Sequence, residues 1–370
     1  MKARYYNLVF FLFGIVFIAY MVMKIGVDTI VENIAHSGWW FPCILGSWLA
    51  VYVLNAASLS YVLQDKLTGV VPFRKLLKLI VCGCAMNYIT PVITIGGEPY
   101  RILELKKYVG IQKATSSIIA YKLMHVLAHL IYFLFIMLLV VFSWAAGWLT
   151  VQLKLGYIIA FSVIFCALAL GVWLFYGIYQ YGLVVKLATF AEKLPFLNKY
   201  ISRYTEKNAD VIAALDAQIV DLKRNRRRSF YNSMWAEFLS RIVAGFEIYF
   251  ILLAVGSDIN FLEASVVTAF ASLFVNILFF VPLQVGTREG GYGLALTMLV
   301  IAGVNGMTSM ELGIYTSLIT RIREVAWILL GLILLRTHLG ISWKQKSSAS
   351  HAAIMEQVCE EDHSKVNSEK

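Results

Sequence analysis

The chain has 370 residues, 60% hydrophobic and 15% charged, with a mean hydropathy of +0.73. A water-soluble domain is nearer half apolar and a quarter charged, so a soluble enzyme or binding module is excluded and a polytopic membrane protein is expected. The net charge of +10 falls in loops on one predicted side of the membrane, which points to orientation and anionic head groups rather than nucleic acid.

Lys2 and Arg4 precede an apolar run from Leu8 to Met23. Lys24, Gly26 and Asp28 follow where a small-residue cleavage site would stand, so 8–24 reads as an uncleaved first span. Further apolar segments fall at 39–63, 76–95, 115–143, 156–179, 230–254, 262–283, 290–303 and 312–335. Several reach the ~20 residues needed to cross a bilayer.

Suppose that the N-terminus is cytoplasmic, and that 76–114 and 262–303 each enter and leave by one face. Then 25 lysines and arginines lie on the cytoplasmic side and two, Lys24 and Lys154, on the other. Five remain within spans: Lys122, Arg241, Arg288, Arg321 and Arg323. Such an imbalance is an orientation signal. Making 76–95 a full crossing would carry Arg101, Lys106, Lys107 and Lys113 to the wrong side.

The expected fold is an all-α polytopic membrane protein, an inverted repeat with about six full spans and two re-entrant broken-helix hairpins. The membrane domain should occupy 1–340, with repeat 1 about 39–143 and repeat 2 about 230–336. Between them lies a cytoplasmic insert, 180–229, in which Val211, Leu215, Ile219 and Leu222 recur at helical spacing. It reads as an amphipathic helix lying on the membrane or the bundle. The basic run Lys223–Arg228 abuts the next span and suits an anionic lipid surface. The polar tail 341–370 is expected to be disordered and cytoplasmic. The five cysteines, Cys43, Cys82, Cys84, Cys166 and Cys359, lie mostly in apolar segments, and the Cys82/Cys84 spacing fits neither a redox nor a zinc motif.

Two stretches 191 residues apart interrupt apolar segments alike: Pro91-Val-Ile-Thr-Ile-Gly-Gly-Glu98 and Pro282-Leu-Gln-Val-Gly-Thr-Arg-Glu289. Each begins with proline, breaks at glycine and places a glutamate seven residues on. Broken backbone at membrane depth must be buried in protein or line a wet cavity. Paired Gly/Pro interruptions in two halves are a pointer to a transporter binding site. Glu98 and Glu289 lie where a helix would start, so each either caps its helix or holds a cation, a proton or an amine head group. Arg101 and Arg288 would suit a phosphate held by nearby amides. Asn87 and Asn276 precede the two prolines and are expected to hydrogen-bond the broken backbone.

The segments after the hairpins, Ala114–His125 and Gly313–Glu324, align so that Lys122 matches Arg321 and His125 matches Glu324. Lys122, His125 and His129 share one helical face, where lining a polar cavity is favoured over holding a metal. Glu237 and Arg241 stand at i, i+4, for which an internal ion pair is the default. Glu247 has only Val243 and Ile251 at i±4 and must find a partner in another helix.

Gly96-Gly97-Glu98-Pro99-Tyr100-Arg101, the Ala114-Thr-Ser-Ser segment and Gly286-Thr-Arg-Glu-Gly-Gly291 together resemble the lysylphosphatidylglycerol synthase transmembrane-region family. That family includes the flippase half of the multiple peptide resistance factor. The resemblance covers roughly 1–340 and implies lipid translocation between leaflets, with Gly96, Gly97, Glu98, Arg101, Gly286, Arg288, Glu289 and Gly291 at the head-group cavity. Full-length synthases append a soluble aminoacyl-transfer domain, whereas this sequence ends about 30 polar residues after its last span. The expectation is therefore a flippase-like domain rather than that synthase.

The expected substrate-binding set is these eight residues with Lys122, His125, Arg321 and Glu324. The expected ligand is a membrane lipid, whether an anionic or aminoacylated phospholipid or a lipid-linked sugar. No metal, cofactor or nucleic acid is expected, and no Walker motif is present. The expected location is the plasma (inner) membrane with both termini cytoplasmic, and a homo-oligomer is left open. Two other readings stand beside translocation. One is a membrane-embedded transferase using Glu98 or Glu289 as base; the other is an accessory assembly protein whose charges only hold helices together.

Overall fold

A computed structural model describes residues 37–63, 71–89, 96–150, 155–181, 224–278, 286–301 and 307–335, with isolated positions at 28, 31, 35, 217, 220–222, 281 and 284. The expected first span at 8–24, most of the 180–229 insert, the 341–370 tail, and Pro91 and Pro282 lie outside the described residues. Among the described residues the protein is all-α. The helices are α1 (Trp40–Leu63), α2 (Phe73–Ile89), α3 (Gly97–Val109), α4 (Ile111–Ala145), α5 (Leu155–Tyr181), α6 (Arg227–Val255), α7 (Phe261–Ile277), α8 (Thr287–Met298) and α9 (309–335).

Four of these helices are long and apolar enough to cross a membrane: α1, α4, α5 and α6. Helix α9 is of similar length but carries Arg321, Arg323 and Glu324 at its centre, and its charges are matched by partners on other helices. The interrupted segments are pairs of short helices, as expected. At 1.5 Å per residue, α2 and α3 are about 25 and 20 Å long, and α7 and α8 about 25 and 18 Å, each less than the ~30 Å hydrocarbon core.

Helices α1 and α6 pack extensively against each other. Small residues let them approach: the Ser58 and Ser233 hydroxyls meet at 2.8 Å, and Ala56, Ala236, Ser240 and Ala244 are buried along the two helices. Close packing of small residues and interhelical hydrogen bonds replace the hydrophobic drive that lipid removes. This pair is the spine of two cores. One joins Tyr52 and Leu59 to Ile80 of α2, Leu105 of α3, Met124 of α4 and Trp327 of α9. The other joins Ile44 and Ile248 to Val267 of α7, Leu296 of α8 and Ile319 of α9. Helix α5 packs on α4 and exposes Val163, Leu170 and Trp173, the apolar surface a lipid-facing span requires.

Local sequence sets the ends that matter. Helix α6 stops at Gly256, whose φ of +85° closes the last turn with bonds to the Leu252 and Leu253 carbonyls. Helix α7 restarts at a capping box, in which Asn260 accepts from the Glu263 amide and Glu263 accepts from the Asn260 amide, both at 2.9 Å. The α6–α7 connection is thereby a tight corner, and it delivers the second hairpin directly against the spine.

Candidate functional site

The first break is held by Asn87. The Gly97 amide donates to Asn87 Oδ1 at 2.7 Å, which gives a partner to one of the free amides at the start of α3. The two arms touch backbone to backbone here, because a Cβ on Gly97 would collide with the Gly83 carbonyl. Gly83 in turn leaves the space that Arg101 fills, its guanidinium lying against the Gly83 backbone. Arg101 Nη2 donates to the Ile80 carbonyl and to Cys84 Sγ, both at 3.4 Å. Glu98 sits in the first turn of α3 and accepts from Lys122 Nζ of α4 at 3.1 Å, with Arg101 Nη1 at 3.7 Å. Lys122 is 48% exposed and Glu98 18% exposed, so this ion pair opens onto the surface of the bundle. Glu98 Oε2 has no hydrogen-bond partner among the described residues.

The second break is held differently. Gly286 adopts φ +81°, and its amide donates to Glu289 Oε2 at 2.8 Å. Glu289 Oε1 accepts from Ser317 Oγ at 2.9 Å and from Arg321 Nη2 at 3.0 Å and Nε at 3.2 Å. Gln284 has φ +54°, a left-handed conformation uncommon for a side-chain-bearing residue. Arg321 Nη2 holds its carbonyl at 3.3 Å, and Arg288 Nη2 holds its Oε1 at 2.6 Å. Gly291 lets α8 lie against the Ala271 backbone of α7. Glu289 is thus both helix cap and ion-pair partner. Asn276 is exposed, and the bond matching that of Asn87 is absent among the described residues.

From Arg288 the network continues inward. Arg288 Nη1 donates to Glu324 at 2.7 Å, and Arg323 Nη2 lies 3.9 Å from the same oxygen. Arg323 also grips both oxygens of Glu247 on α6, at 2.7 and 3.0 Å. Trp48 of α1 donates its indole N–H to Glu247 at 2.6 Å. Glu247 therefore has the interhelical partner its own helix lacks.

Glu237 does not pair chiefly with Arg241. His125 Nδ1 of α4 lies 2.8 Å from Glu237 Oε2, while Arg241 Nη2 is at 4.0 Å. The expected i, i+4 pair is present but long, because α4 packs against this face of α6 and places an imidazole closer to the same oxygen. His129 stands edge-on to His125, ring centres 5.5 Å apart, and stacks on Phe133 at 5.1 Å.

The twelve residues singled out from the sequence gather into two clusters rather than one. Gly96, Gly97, Glu98, Arg101, Lys122 and His125 lie in the first half; Gly286, Arg288, Glu289, Gly291, Arg321 and Glu324 lie in the second. Helix α2 connects them. Its Cys84 is bonded to Arg101, Tyr88 one turn further lies near Glu324, Arg323 and Arg288, and Cys82 Sγ donates to the Gly331 carbonyl of α9 at 3.4 Å. Sequence reasoning missed Trp48, Tyr88, Gln284 and Ser317. Ser317 stands one turn before Arg321 and Gln284 lies inside the second motif, so both were within reach. Nothing in the local pattern marks Trp48.

The helices and paired breaks define a polytopic α-helical membrane protein with ionised side chains held inside its bundle. The chain belongs to the family described as "Lysylphosphatidylglycerol synthase TM region", whose family model matches residues 7–333. Comparison with curated proteins and with solved structures returned no match.

Proposed function

We propose that the protein moves a polar or charged lipid between the leaflets of the plasma membrane, its head group travelling between the two broken-helix hairpins. One observation carries this reading most. Each break ends in a first-turn glutamate that is ion-paired to the next long helix, Glu98 to Lys122 and Glu289 to Arg321. In the first half that pair is open to the outside of the bundle. Ionisable groups within spans are costly and mark substrate pathways, and broken helices at repeat interfaces are the usual carriers of such sites. Membership of a membrane-domain family connected with lipid synthesis supports a lipid as cargo.

In this reading the head group displaces one glutamate–cation pair at a time, while acyl chains stay in lipid. The two hairpins enter from opposite faces and open in turn. No bond to the lipid is made or broken. Both termini are cytoplasmic, and the exposed Arg224, Arg227 and Arg228 rest on anionic head groups of the inner leaflet. Arg226 anchors this segment to the bundle through the Val62 carbonyl of α1 at 3.3 Å and is itself held by Asp221 at 3.1 Å.

Cysteine accessibility tests the alternation. A single cysteine replacing Lys122, in a background lacking the other cysteines, should react with an impermeant thiol reagent applied to either face of the membrane. Reaction from one face alone, with and without lipid substrates, would contradict alternating access.

A further inference from the structure

The two halves hold their buried carboxylates with different bases. Around the second break, Glu324, Glu289 and Glu247 each accept from an arginine, at 2.7, 3.0 and 2.7 Å. A guanidinium keeps its charge at every physiological pH, so none of these bases releases a proton. In the first half, the fully buried Glu237 has an imidazole as its nearest partner, His125 Nδ1 at 2.8 Å, with Arg241 Nη2 at 4.0 Å. An ionised carboxylate only accepts, so Nδ1 carries the hydrogen and Nε2 is left as the free basic nitrogen. The His125 side chain is 23% exposed, so the ring is not sealed off from protons outside the bundle.

The pair is also short of partners. Glu237 Oε1 and Arg241 Nε are buried without a hydrogen-bond partner among the described residues, whereas both oxygens of Glu247 are gripped. A buried carboxylate with one bare oxygen is stabilised by a further cation beside it, and protonation of His125 supplies one without moving a helix. Few charged groups face the pair. Helix α4 adds Lys122 and His129, each about one turn from His125, and Tyr121. Helix α3 places Arg101 over the Tyr121 ring and Glu98 on Lys122, and α2 adds Cys84 near Tyr121. Helices α1 and α5 also pack on α4 but carry no Asp, Glu, Lys, Arg or His. Glu263, the one such residue on α7, caps that helix at its start. His129 faces Arg241, Lys122 and His125 and has no carboxylate. Among the described residues, His125 alone joins a base that titrates near neutrality to a buried carboxylate.

We infer that His125 and Glu237 form a proton-binding site, and that a proton is the ion whose movement drives the first hairpin between its closed and open states. This rests on the translocation reading and names its coupling ion. The proton binds His125 Nε2 and gives an imidazolium bonded to Glu237. While Lys122 is paired with Glu98, its charge is offset and the imidazolium stands. When the hairpin opens and Glu98 leaves Lys122, the bare ammonium one turn away repels the imidazolium, and Nε2 returns its proton to the water then in contact with it. Uptake from one face and release to the other move one proton per cycle.

Ring-labelled histidine in the full-length protein, held in lipid nanodiscs and followed by NMR, reads proton binding without transport. The His125 signal, assigned by its loss in His125→Gln, should change charge state between about pH 5 and 8. A ring that keeps one state across that range would overturn the inference. Proteoliposomes read the coupling. A gradient of one pH unit should shift the steady-state distribution of a head-group-labelled lipid between leaflets by up to about tenfold, the limit set by one proton per lipid. His125→Gln, which keeps a donor for Glu237, should still move lipid but leave its distribution even at every gradient. His129→Gln should respond as the wild type does, and a melting curve on each variant confirms folding. A wild-type distribution indifferent to the gradient, or a His125→Gln protein that still follows it, would also overturn the inference while leaving translocation intact. Titration of His125 with no lipid movement under any gradient would defeat the translocation reading and the coupling with it, leaving the proton site alone.

Discussion

The guanidinium of Arg323 lies 3.8 Å from the centre of the Trp48 ring. The same indole donates to Glu247, and Glu247 is gripped by that same guanidinium. Helices α1, α6 and α9 are thereby tied at one point, with Arg323 Nη1 buried and without a hydrogen-bond partner among the described residues. Trp48→Phe keeps an aromatic face, though a smaller one, and removes one hydrogen bond to a charged group, so it should cost about 1.5–3 kcal/mol. Glu247→Ala strands Arg323 in the bundle and should cost about 3–5 kcal/mol. Denaturant or thermal unfolding in detergent checks that order; equal losses would mean that removing the carboxylate does not strand Arg323.

The Glu98–Lys122 pair should behave differently. An ion pair open to solvent contributes about 0–1 kcal/mol, so Lys122→Gln should leave the melting temperature nearly unchanged while lipid movement falls. Arg321→Gln removes two donors from Glu289 and should lower both. A large stability loss in Lys122→Gln would make that pair a structural strut.

Asn87 gives a third test, because the break it holds has no matching asparagine bond in the second half. Asn87→Ala leaves the Gly97 amide unpaired and should cost about 1–3 kcal/mol. Asn276→Ala should be neutral within about 0.5 kcal/mol. Paired melting curves of the two variants check the difference.

Two glycines separate packing from propensity. A Cβ on Gly313 would collide with the Gly293 backbone, which cannot rotate away, whereas a Cβ on Gly46 meets nothing within 4 Å. Gly313→Ala should therefore destabilise by about 1–3 kcal/mol or more, and Gly46→Ala should stabilise α1 by about 0.5–1 kcal/mol. Paired melting curves decide it.

Hydropathy located the long helices closely. The segments expected at 39–63, 115–143, 156–179 and 230–254 form helices at Trp40–Leu63, Ile111–Ala145, Leu155–Tyr181 and Arg227–Val255, since an unbroken apolar run leaves the backbone no other choice in lipid. The second interrupted segment was legible in place but not in extent: α7 ends at Ile277, short of the expected 283, while the end expected for the first, at 95, lies outside the described residues. Glycine and proline announce a break without saying where the last helical hydrogen bond falls. Partner choice was the least legible. Spacing pairs Glu237 with Arg241 on one helix, but the rotation and depth of α4 bring His125 closer. That Glu247 needs a partner from another helix follows from its neighbours; that the partner is Arg323, with Trp48 beside it, depends on tertiary packing alone.

Head-group movement in proteoliposomes tests translocation most directly. A fluorescent head-group-labelled lipid is reconstituted with the purified protein, and its exposure to an impermeant quencher is followed over time. Wild-type protein should carry inner-leaflet label outward, with the rate strongly reduced in Glu98→Gln and Glu289→Gln. Folded wild-type protein that moves no lipid from an anionic, zwitterionic and aminoacylated panel would contradict the proposal, as would both variants moving lipid at the wild-type rate.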